Sequence, residues 1–306
     1  MNGLTLKHLR YFNALAKNLH FGRASAECAI TQPALSIQIK ELEAMVGAPL
    51  VERTSRQVRL TALGEDFVSR TRSILAAVEE LDDLVRSSTE ALTGRLRLGV
   101  IPTIAPYLLP GIAQALAKAH PEVDLQPREA VTQALVEDLL EHRLDAALLA
   151  LPVSEPHLTE TPIFEEEFVL VRSEADASDP IPSPDRLLKM RLLLLEEGHC
   201  FRDQALAFCA IDGRPVRDVM EGSSLSTLVQ MVGAGIGLTL IPEIAVPFEA
   251  RAAGVHIARF KNDVPRRKIG LVMRRTTPMA EQLDVLNEIV RELGAQRIAD
   301  VARLYP

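Results

Sequence analysis

Three features of the sequence predict a protein of three parts: a small helical head, a long connecting helix and an α/β body with two lobes. The first sixty residues carry a net charge of +4, although the whole chain carries −7. The forty residues from Thr61 contain no proline. After them, short apolar runs alternate with amphipathic segments, which is typical of α/β layers. A basic head on an acidic body is typical of a nucleic-acid-binding module joined to a second domain.

The head reads as three short helices. In "LKHLRYFNALAKN", apolar residues recur along one helical stripe, and the small residues of "GRASAECA" suit a second helix. The turn "AIT" follows, with Thr31 as the N-cap of a third helix, "QPALSIQIKELEAMVG", that ends at Gly47. The apolar face of this third helix turns inward. Its opposite face carries Gln32, Ser36, Gln38, Lys40 and Glu43.

This arrangement is typical of a helix-turn-helix motif, whose recognition helix, here the third, enters the major groove of DNA. The next stretch, "PLVERTSRQVRLT", predicts two short strands around a polar turn, with Arg53, Arg56 and Arg59 available for phosphate contacts. The alternative is a three-helix bundle that binds a protein. We interpret Cys28, on the inner side of the second helix, as a packing residue.

The stretch "FGRASAECAITQPALSIQIKELEAMVGAPLVERTSRQVRLTALGE" resembles the N-terminal signature of the LysR-type transcriptional regulators. The pattern "TQPALS.QI..LE", the wing "R..R.V.LT" and the helix start "T..G" carry the resemblance. Thr31 and Val51 depart from it, since Ser and Phe are frequent there. The resemblance implies a dimeric or tetrameric regulator that binds double-stranded DNA, with a winged helix-turn-helix. It also implies DNA contacts from Arg23, Gln32, Ser36, Gln38, Lys40, Arg53 and Arg56.

The segment 61–93 predicts a long linker helix. Its apolar residues follow a heptad-like spacing that suits the pairing of two chains: Phe67, Ile74, Val78, Leu81 and Val85. Two paired heads would address two half-sites on DNA. The alternative is one amphipathic helix lying on its own domain. We therefore expect a DNA-binding domain at 1–60, a dimerisation helix at 61–93 and a regulatory domain at 94–306.

The body is expected to contain largely parallel sheets with a ligand site in the crevice beyond the strand ends. The family resemblance implies two Rossmann-like subdomains, as in periplasmic binding proteins. The sequence contains no Cys-x-x-Cys, no His-x-x-x-His and no phosphate-binding loop, so we expect neither a metal nor a cofactor. With no signal peptide and no apolar run near ~20 residues, we expect a cytoplasmic protein without a membrane partner.

Cys200 and Cys209 lie in "GHCFRDQALAFC", which has the composition of a helix. Nine residues at ~100° each would place the two cysteines on opposite helix faces, with Cα atoms roughly 13–14 Å apart. A disulfide needs Cα atoms within about 7 Å, so this pair could bond only if the segment unwound. The alternative is two buried cysteines on an ordinary helix.

The stretch "LLLLEEGHCFRDQALAFC" resembles the redox segment of the OxyR branch, the peroxide-sensing members of the LysR-type family. The resemblance continues through "GVIPTIAPYLLP", "REAVTQAL" and "RRKIGLVMRR". It implies that Cys200 is the peroxidatic cysteine and that Cys209 resolves the oxidised intermediate. It further implies a peroxide pocket built from Thr103, Thr132, His199 and Arg202.

The main hypothesis is a regulator, not an enzyme, that senses hydrogen peroxide and activates antioxidant genes through a reversible Cys200–Cys209 disulfide. Expected partners are RNA polymerase, further copies of the chain in a homodimer and homotetramer, and a thiol reductant such as glutaredoxin or thioredoxin. One alternative is a LysR-type regulator of a small organic effector, with the cysteines incidental. Another is a thiol peroxidase or oxidoreductase, against which the basic head and the missing Cys-x-x-Cys argue.

Overall fold

The computed structural model describes residues 3–53, 58–87, 92–187, 190–209, 220–252, 254–261 and 263–305. The chain divides into two units, Met1–Val85 and Arg86–Pro306. In the described residues the helices are α1 Leu6–Asn18, α2 Phe21–Glu27, α3 Gln32–Val46, α4 Ala62–Ser87, α5 Ala105–Ala119, α6 Thr132–Leu140, α7 Pro184–Leu187, α8 Cys200–Cys209, α9 Leu225–Gly233, α10 Val246–Glu249 and α11 Ala280–Leu304. The strands are β1 Val51–Arg53, β2 Val58–Leu60, β3 Gly94–Val100, β4 Val123–Glu129, β5 Ala146–Leu151, β6 Leu158–Ser173, β7 Leu192–Leu195, β8 Met220–Gly222, β9 Leu238–Pro242, β10 Val255–Ala258 and β11 Arg266–Arg274.

The second unit is built on one mixed sheet. Its strand order, over the described residues, is β4-β3-β5-β11-β6-β9-β7-β8, with β10 paired to β6. β3, β4 and β5 form a parallel group in one lobe, and β7, β8 and β9 form another in the second. The long β6 pairs with β11 in the first lobe and with β9 and β10 in the second. The two-lobed α/β body predicted from the sequence is therefore confirmed.

The prediction of largely parallel pairing is wrong at the centre of this sheet. β11 runs antiparallel to both β5 and β6, and β6 runs antiparallel to β9 and β10. Parallel neighbours need a crossover connection, usually a helix, and only the two outer groups have such helices between their strands. The alternation of strands and helices along the sequence predicts those crossovers. It does not predict that one strand, β6, pairs in both lobes.

Three of the predicted site residues follow the carboxyl ends of parallel strands. β3 leads into the loop that holds Thr103, β4 leads to Thr132 at the start of α6, and β7 leads to Cys200 at the start of α8. In open α/β sheets this edge is where ligands bind. Within the residues described, no helix combines the length and apolarity that crossing a membrane requires.

The first unit has the predicted winged helix-turn-helix. α3 begins after Thr31, whose hydroxyl accepts from the Ala34 amide at 3.4 Å, and ends at Gly47 with φ of 80°. Its inner face is fully buried against α1, through Leu35, Ile39, Leu42, Phe12 and Leu15. β1 and β2 form the antiparallel wing. Residues 54–57, including Arg56, lie outside the described residues.

The predicted seam of α4 divides into two parts. Phe67 packs edge-on against Phe12 with ring centroids 5.5 Å apart, so it belongs to the core of its own head. Further along the helix, Ile74 is 45% exposed and Leu81 is 62% exposed. Among the predicted seam residues whose side chains the structure describes, Ile74 and Leu81 are the exposed ones. The side chain of Val85 lies outside the described residues.

The start of α4 explains the "T..G" pattern in the sequence. The Thr61 hydroxyl accepts from the Gly64 amide at 3.0 Å and donates to the Pro49 carbonyl at 3.0 Å. Gly64 is buried against Leu50, whose carbonyl oxygen would collide with any Cβ at this position. The threonine of the pattern therefore caps α4, and the glycine allows α4 to lie close to Leu50 before the wing.

We predict that Gly64→Ala lowers the free energy of unfolding of the head by about 1–3 kcal/mol, because the added methyl group meets backbone that cannot rotate away. Thermal and denaturant unfolding followed by circular dichroism would measure the loss. Ser69→Ala, an exposed position on the same helix, is the matched control and should change little. Equal stability of Gly64→Ala and wild type would show that the contact is loose.

Candidate redox site and DNA interface

Cys200 is the first residue of α8 and carries a free, half-buried thiol. It follows the buried strand β7 after a short loop that contains His199. The segment from Cys200 to Cys209 is helical throughout, as the sequence predicts. With a rise of ~1.5 Å per residue, the two Cα atoms lie about 13–14 Å apart, beyond the reach of a disulfide. The side chain of Cys209 lies outside the described residues.

The first turn of α8 is held by packing and by Arg202. Phe201 is 1% exposed and packs on Phe168, with ring centroids 4.8 Å apart. The Arg202 guanidinium donates to the Leu195 carbonyl at 3.1 Å and to Glu221 at 2.5 Å. These contacts bind α8 to the ends of β7 and β8. They give Arg202 an anchoring role, and its predicted place beside the sulfur of Cys200 stays a prediction.

A buried charged network connects this helix with Thr103. Arg267 donates to the Thr103 hydroxyl at 2.7 Å and forms an ion pair with Glu166 at 2.7 Å. Both charged side chains are fully buried, and the Arg267 guanidinium lies 5.7 Å from the ring centroid of Phe201. Thr103, itself 2% exposed, is therefore joined through one arginine to the residue that follows Cys200.

Sequence reasoning missed Arg267. In "RRKIGLVMRR", buried and exposed residues alternate at the start of β11, and Arg267 takes a buried position. The alternation in the sequence could have indicated this. An inward charge on a strand requires a partner, since an unpaired buried charge is very costly. The acidic run that contains Glu166 in β6 supplies it, but only the antiparallel pairing of β11 with β6 brings the two together.

Thr132 is the first residue of α6, and its hydroxyl is buried without a hydrogen-bond partner in the described part of the chain. The loop before Cys200 lies against the same helix start, because a methyl group added to Gly198 would lie 4.0 Å from Val131 Cγ2. The structure thus brings Thr132 close to the Cys200 loop. A buried hydroxyl with no partner is uncommon, and its donor and acceptor capacity remains free for a small polar molecule.

His199 is half-buried beside Cys200 in the chain. Burial lowers the pKa of the His199 imidazole below its ordinary value of 6.5, although Glu196 opposes this shift. The imidazole is therefore neutral near pH 7. A neutral imidazole can accept a proton from a neighbouring group, whereas an imidazolium cannot.

The predicted DNA contacts differ in accessibility. Gln32 and Lys40 are exposed on α3, and Arg23 is exposed on α2 with its guanidinium donating to the Asn18 carbonyl at 2.9 Å. Ser36 and Gln38 are half-buried, and Gln38 donates to Glu41 at 2.5 Å. For Arg53 only the strand backbone is described, and Arg56 lies outside the described residues, so both DNA contacts stay predictions.

Glu43 and Cys28 both contact other parts of the head itself. Glu43, predicted on the outward face of α3, instead accepts from the Leu50 and Val51 amides at 2.9 and 3.1 Å and so anchors the wing. That placement was wrong because the wing folds back onto α3. Cys28 ends α2 and packs partly against the head core, where burial and Glu27 raise the pKa of its thiol. A raised pKa disfavours the reactive thiolate, which agrees with a packing role.

Comparisons with known proteins extend over both units. Residues 6–65 match the bacterial regulatory helix-turn-helix protein, lysR family, and residues 89–295 match the LysR substrate binding domain. The chain is 40% identical to a probable hydrogen peroxide-inducible genes activator of Streptomyces viridosporus, over 97% of both chains. It is 39% identical to the HTH-type transcriptional regulator EstR of Acinetobacter baylyi, over 95% of this chain and 97% of that one.

Solved structures give the same result. A hydrogen-peroxide-bound cysteine-to-serine variant of OxyR from Corynebacterium glutamicum matches with a TM-score of 0.69 and 33% identity, covering 98% of this chain and 95% of that one. The matching models cover the head and the body together. The chain therefore belongs to the LysR family of bacterial transcriptional regulators and is similar to its OxyR members.

Proposed function

We propose that this protein is a DNA-binding regulator of antioxidant genes that responds to hydrogen peroxide through Cys200. The observation that carries the proposal is a free thiol at the first residue of α8, with the Thr132 hydroxyl, which has no partner among the described residues, near the loop before it. The similar protein from S. viridosporus is described as a probable activator of hydrogen peroxide-inducible genes, and the matched OxyR variant of C. glutamicum was solved with peroxide bound. These similarities support peroxide as the signal.

The first chemical step uses the thiolate of Cys200. The neutral imidazole of the neighbouring His199 accepts the thiol proton. The sulfur attacks one oxygen of hydrogen peroxide, an S–O bond forms and the O–O bond breaks. The leaving hydroxide takes up a proton and becomes water, and Cys200 becomes a sulfenic acid. The Thr103 and Thr132 hydroxyls hold the peroxide oxygens.

The second step joins Cys200 to Cys209. The Cys209 thiol attacks the sulfenic sulfur, a disulfide forms and a second water leaves. Because the two Cα atoms lie about 13–14 Å apart on α8, this step requires the helix to unwind. The buried contacts of Phe201 and Ala205 are then lost. Closing a loop of ~10 residues also removes about 2.7 kcal/mol of chain entropy from the unwound form. This is a further cost, which the reaction of the thiol with the sulfenic acid must outweigh.

The output is altered DNA contact. In this proposal residues 1–60 bind DNA, residues 61–93 pair two chains, and residues 94–306 sense peroxide. The exposed Ile74 and Leu81 on α4 support a homodimer, because a second helix would cover them. Assembly into a homotetramer, contact with RNA polymerase and reduction by glutaredoxin or thioredoxin complete the proposed cycle.

A second candidate function is response to a small organic effector with the cysteines incidental. A cavity of about 470 Å³ favours it, at the amino ends of β7 and β9 and away from Cys200, with Arg172, Arg186 and Arg191 among its lining residues. The similarity to EstR adds a relative that is not described as peroxide-responsive. Under this function, replacing Cys200 and Cys209 by serine would leave effector response intact.

A thiol peroxidase would instead show sustained peroxide turnover with a thiol reductant.

We predict that Cys200→Ser abolishes oxidation of the redox segment by micromolar peroxide, because it removes the attacking thiolate. Cys209→Ser should stop the reaction at the sulfenic acid, which dimedone traps. Non-reducing peptide mapping by mass spectrometry, together with DNA footprints before and after a peroxide pulse, would record both results.

Cys28→Ser is the matched control for these variants, because the Cys28 thiol packs in the head and has a raised pKa. It should leave oxidation of Cys200 unchanged. If peroxide leaves both Cys200 and Cys209 as free thiols in the wild-type protein, the sensor function is wrong.

We predict that Thr132→Val slows oxidation of Cys200 about 100- to 1000-fold, the order found when one oriented hydrogen-bond partner of a reacting oxygen is removed. Stability should stay within about 0.5 kcal/mol, because the Thr132 hydroxyl has no protein partner to lose in the described residues. Dimedone labelling rates in a Cys209→Ser background would measure the first effect, and denaturant unfolding the second.

Thr103→Val provides the contrast. It should slow the reaction and also destabilise the body by about 1–3 kcal/mol, because it leaves a buried Arg267 donor unpaired. An unchanged oxidation rate in Thr132→Val would remove this threonine from the peroxide pocket.

A further inference from the structure

The outward face of α3 carries one large apolar side chain, Ile37. Leu35, Ile39 and Leu42 are fully buried and form the inner stripe of this helix, whereas Ile37 is 55% exposed. At ~100° per residue, Ile37 lies about 170° from the middle of that stripe. Of the side chains in the first half of α3, it points most directly away from the head core.

The polar residues around Ile37 either lie to the side of it on α3 or bond to other residues of the head. Gln32 lies at the start of α3, and Lys40 follows Ile37 by about one turn, both exposed. Gln38 is half-buried and donates to Glu41, and Glu43 holds the wing. Glu41, one turn after Ile37, is exposed and accepts the hydrogen bond from Gln38. The apolar Ile37 is therefore flanked on the outward face by the charged residues Lys40 and Glu41.

We propose that Ile37 determines base specificity by packing on the C5-methyl group of a thymine in the major groove. This inference rests on the proposed entry of α3 into DNA. Thymine is the base that presents a methyl group in the major groove, where cytosine presents a hydrogen-bond donor. A branched apolar side chain gains contact area against the methyl group. Against cytosine it would strip water from the amino group and offer no acceptor.

The test begins with selection of preferred duplexes from a random-sequence pool by the full-length chain, both reduced and peroxide-treated. Each thymine in the selected duplex is then replaced singly by deoxyuridine, which removes only the methyl group. At one position in each half-site the wild-type protein should lose about three- to tenfold in affinity, the order expected for one buried methyl contact.

Ile37→Ala completes a double-mutant cycle. The variant should bind the thymine duplex about three- to tenfold more weakly than wild type, and at that position it should bind the thymine and deoxyuridine duplexes equally. Its slope of log affinity against log salt should match wild type, because no phosphate contact is lost. Its melting temperature should also be retained, since Ile37 is exposed and alanine favours helix.

Lys40→Ala is the matched control on the same face. It should weaken binding to every duplex and reduce the salt slope by about one, while leaving the deoxyuridine effect intact. Equal deoxyuridine penalties in wild type and Ile37→Ala, or no thymine whose methyl group matters, would overturn the role of Ile37. Failure of the wild-type chain to select any duplex would contradict the proposed function itself.

Discussion

The buried ion pair between Arg267 and Glu166 is the interaction on which the geometry of the second unit depends. Glu166 also accepts from the Ile244 amide at 3.1 Å, and Arg267 reaches Thr103 and the ring of Phe201. One pair thus connects β6, β11, the loop after β3 and the first turn of α8. Ions so deeply buried are tolerated only when their geometry and hydrogen bonds are well matched, and loss of one partner is strongly destabilising. The position of α8 is therefore set in part by residues of other elements.

The helical form of α8 sets the distance between its two cysteines. Its rise of ~1.5 Å per residue holds the Cα atoms of Cys200 and Cys209 about 13–14 Å apart. The packing of Phe201 on Phe168 resists unwinding of this helix. Under the proposed function, the residues that react and the residues that change structure on oxidation are therefore the same ten.

Local features of the fold were predictable from sequence, and long-range ones were not. The cap at Thr31, the end of α3 at Gly47 and the helix from Cys200 to Cys209 follow from residue types that act within one turn. The antiparallel centre of the sheet, the anchoring by Glu43 and the link from Arg267 to Thr103 join residues far apart in sequence, 164 positions in the last case. The exposure of Ile37 also depends on the fold, since it is the packing of Leu35, Ile39 and Leu42 in the head core that turns Ile37 outward.

Under the proposed function, the separation of the two cysteines along α8 also determines how the protein would respond in time. Oxidation of Cys200 to a sulfenic acid needs no unwinding, but the disulfide would form no faster than the helix opens. Between the two steps, other thiols would compete for the sulfenic sulfur. A brief exposure would then be reversed before the disulfide forms, and a sustained one would accumulate as the disulfide. The stability of α8 would therefore set the shortest oxidative episode that the regulator registers.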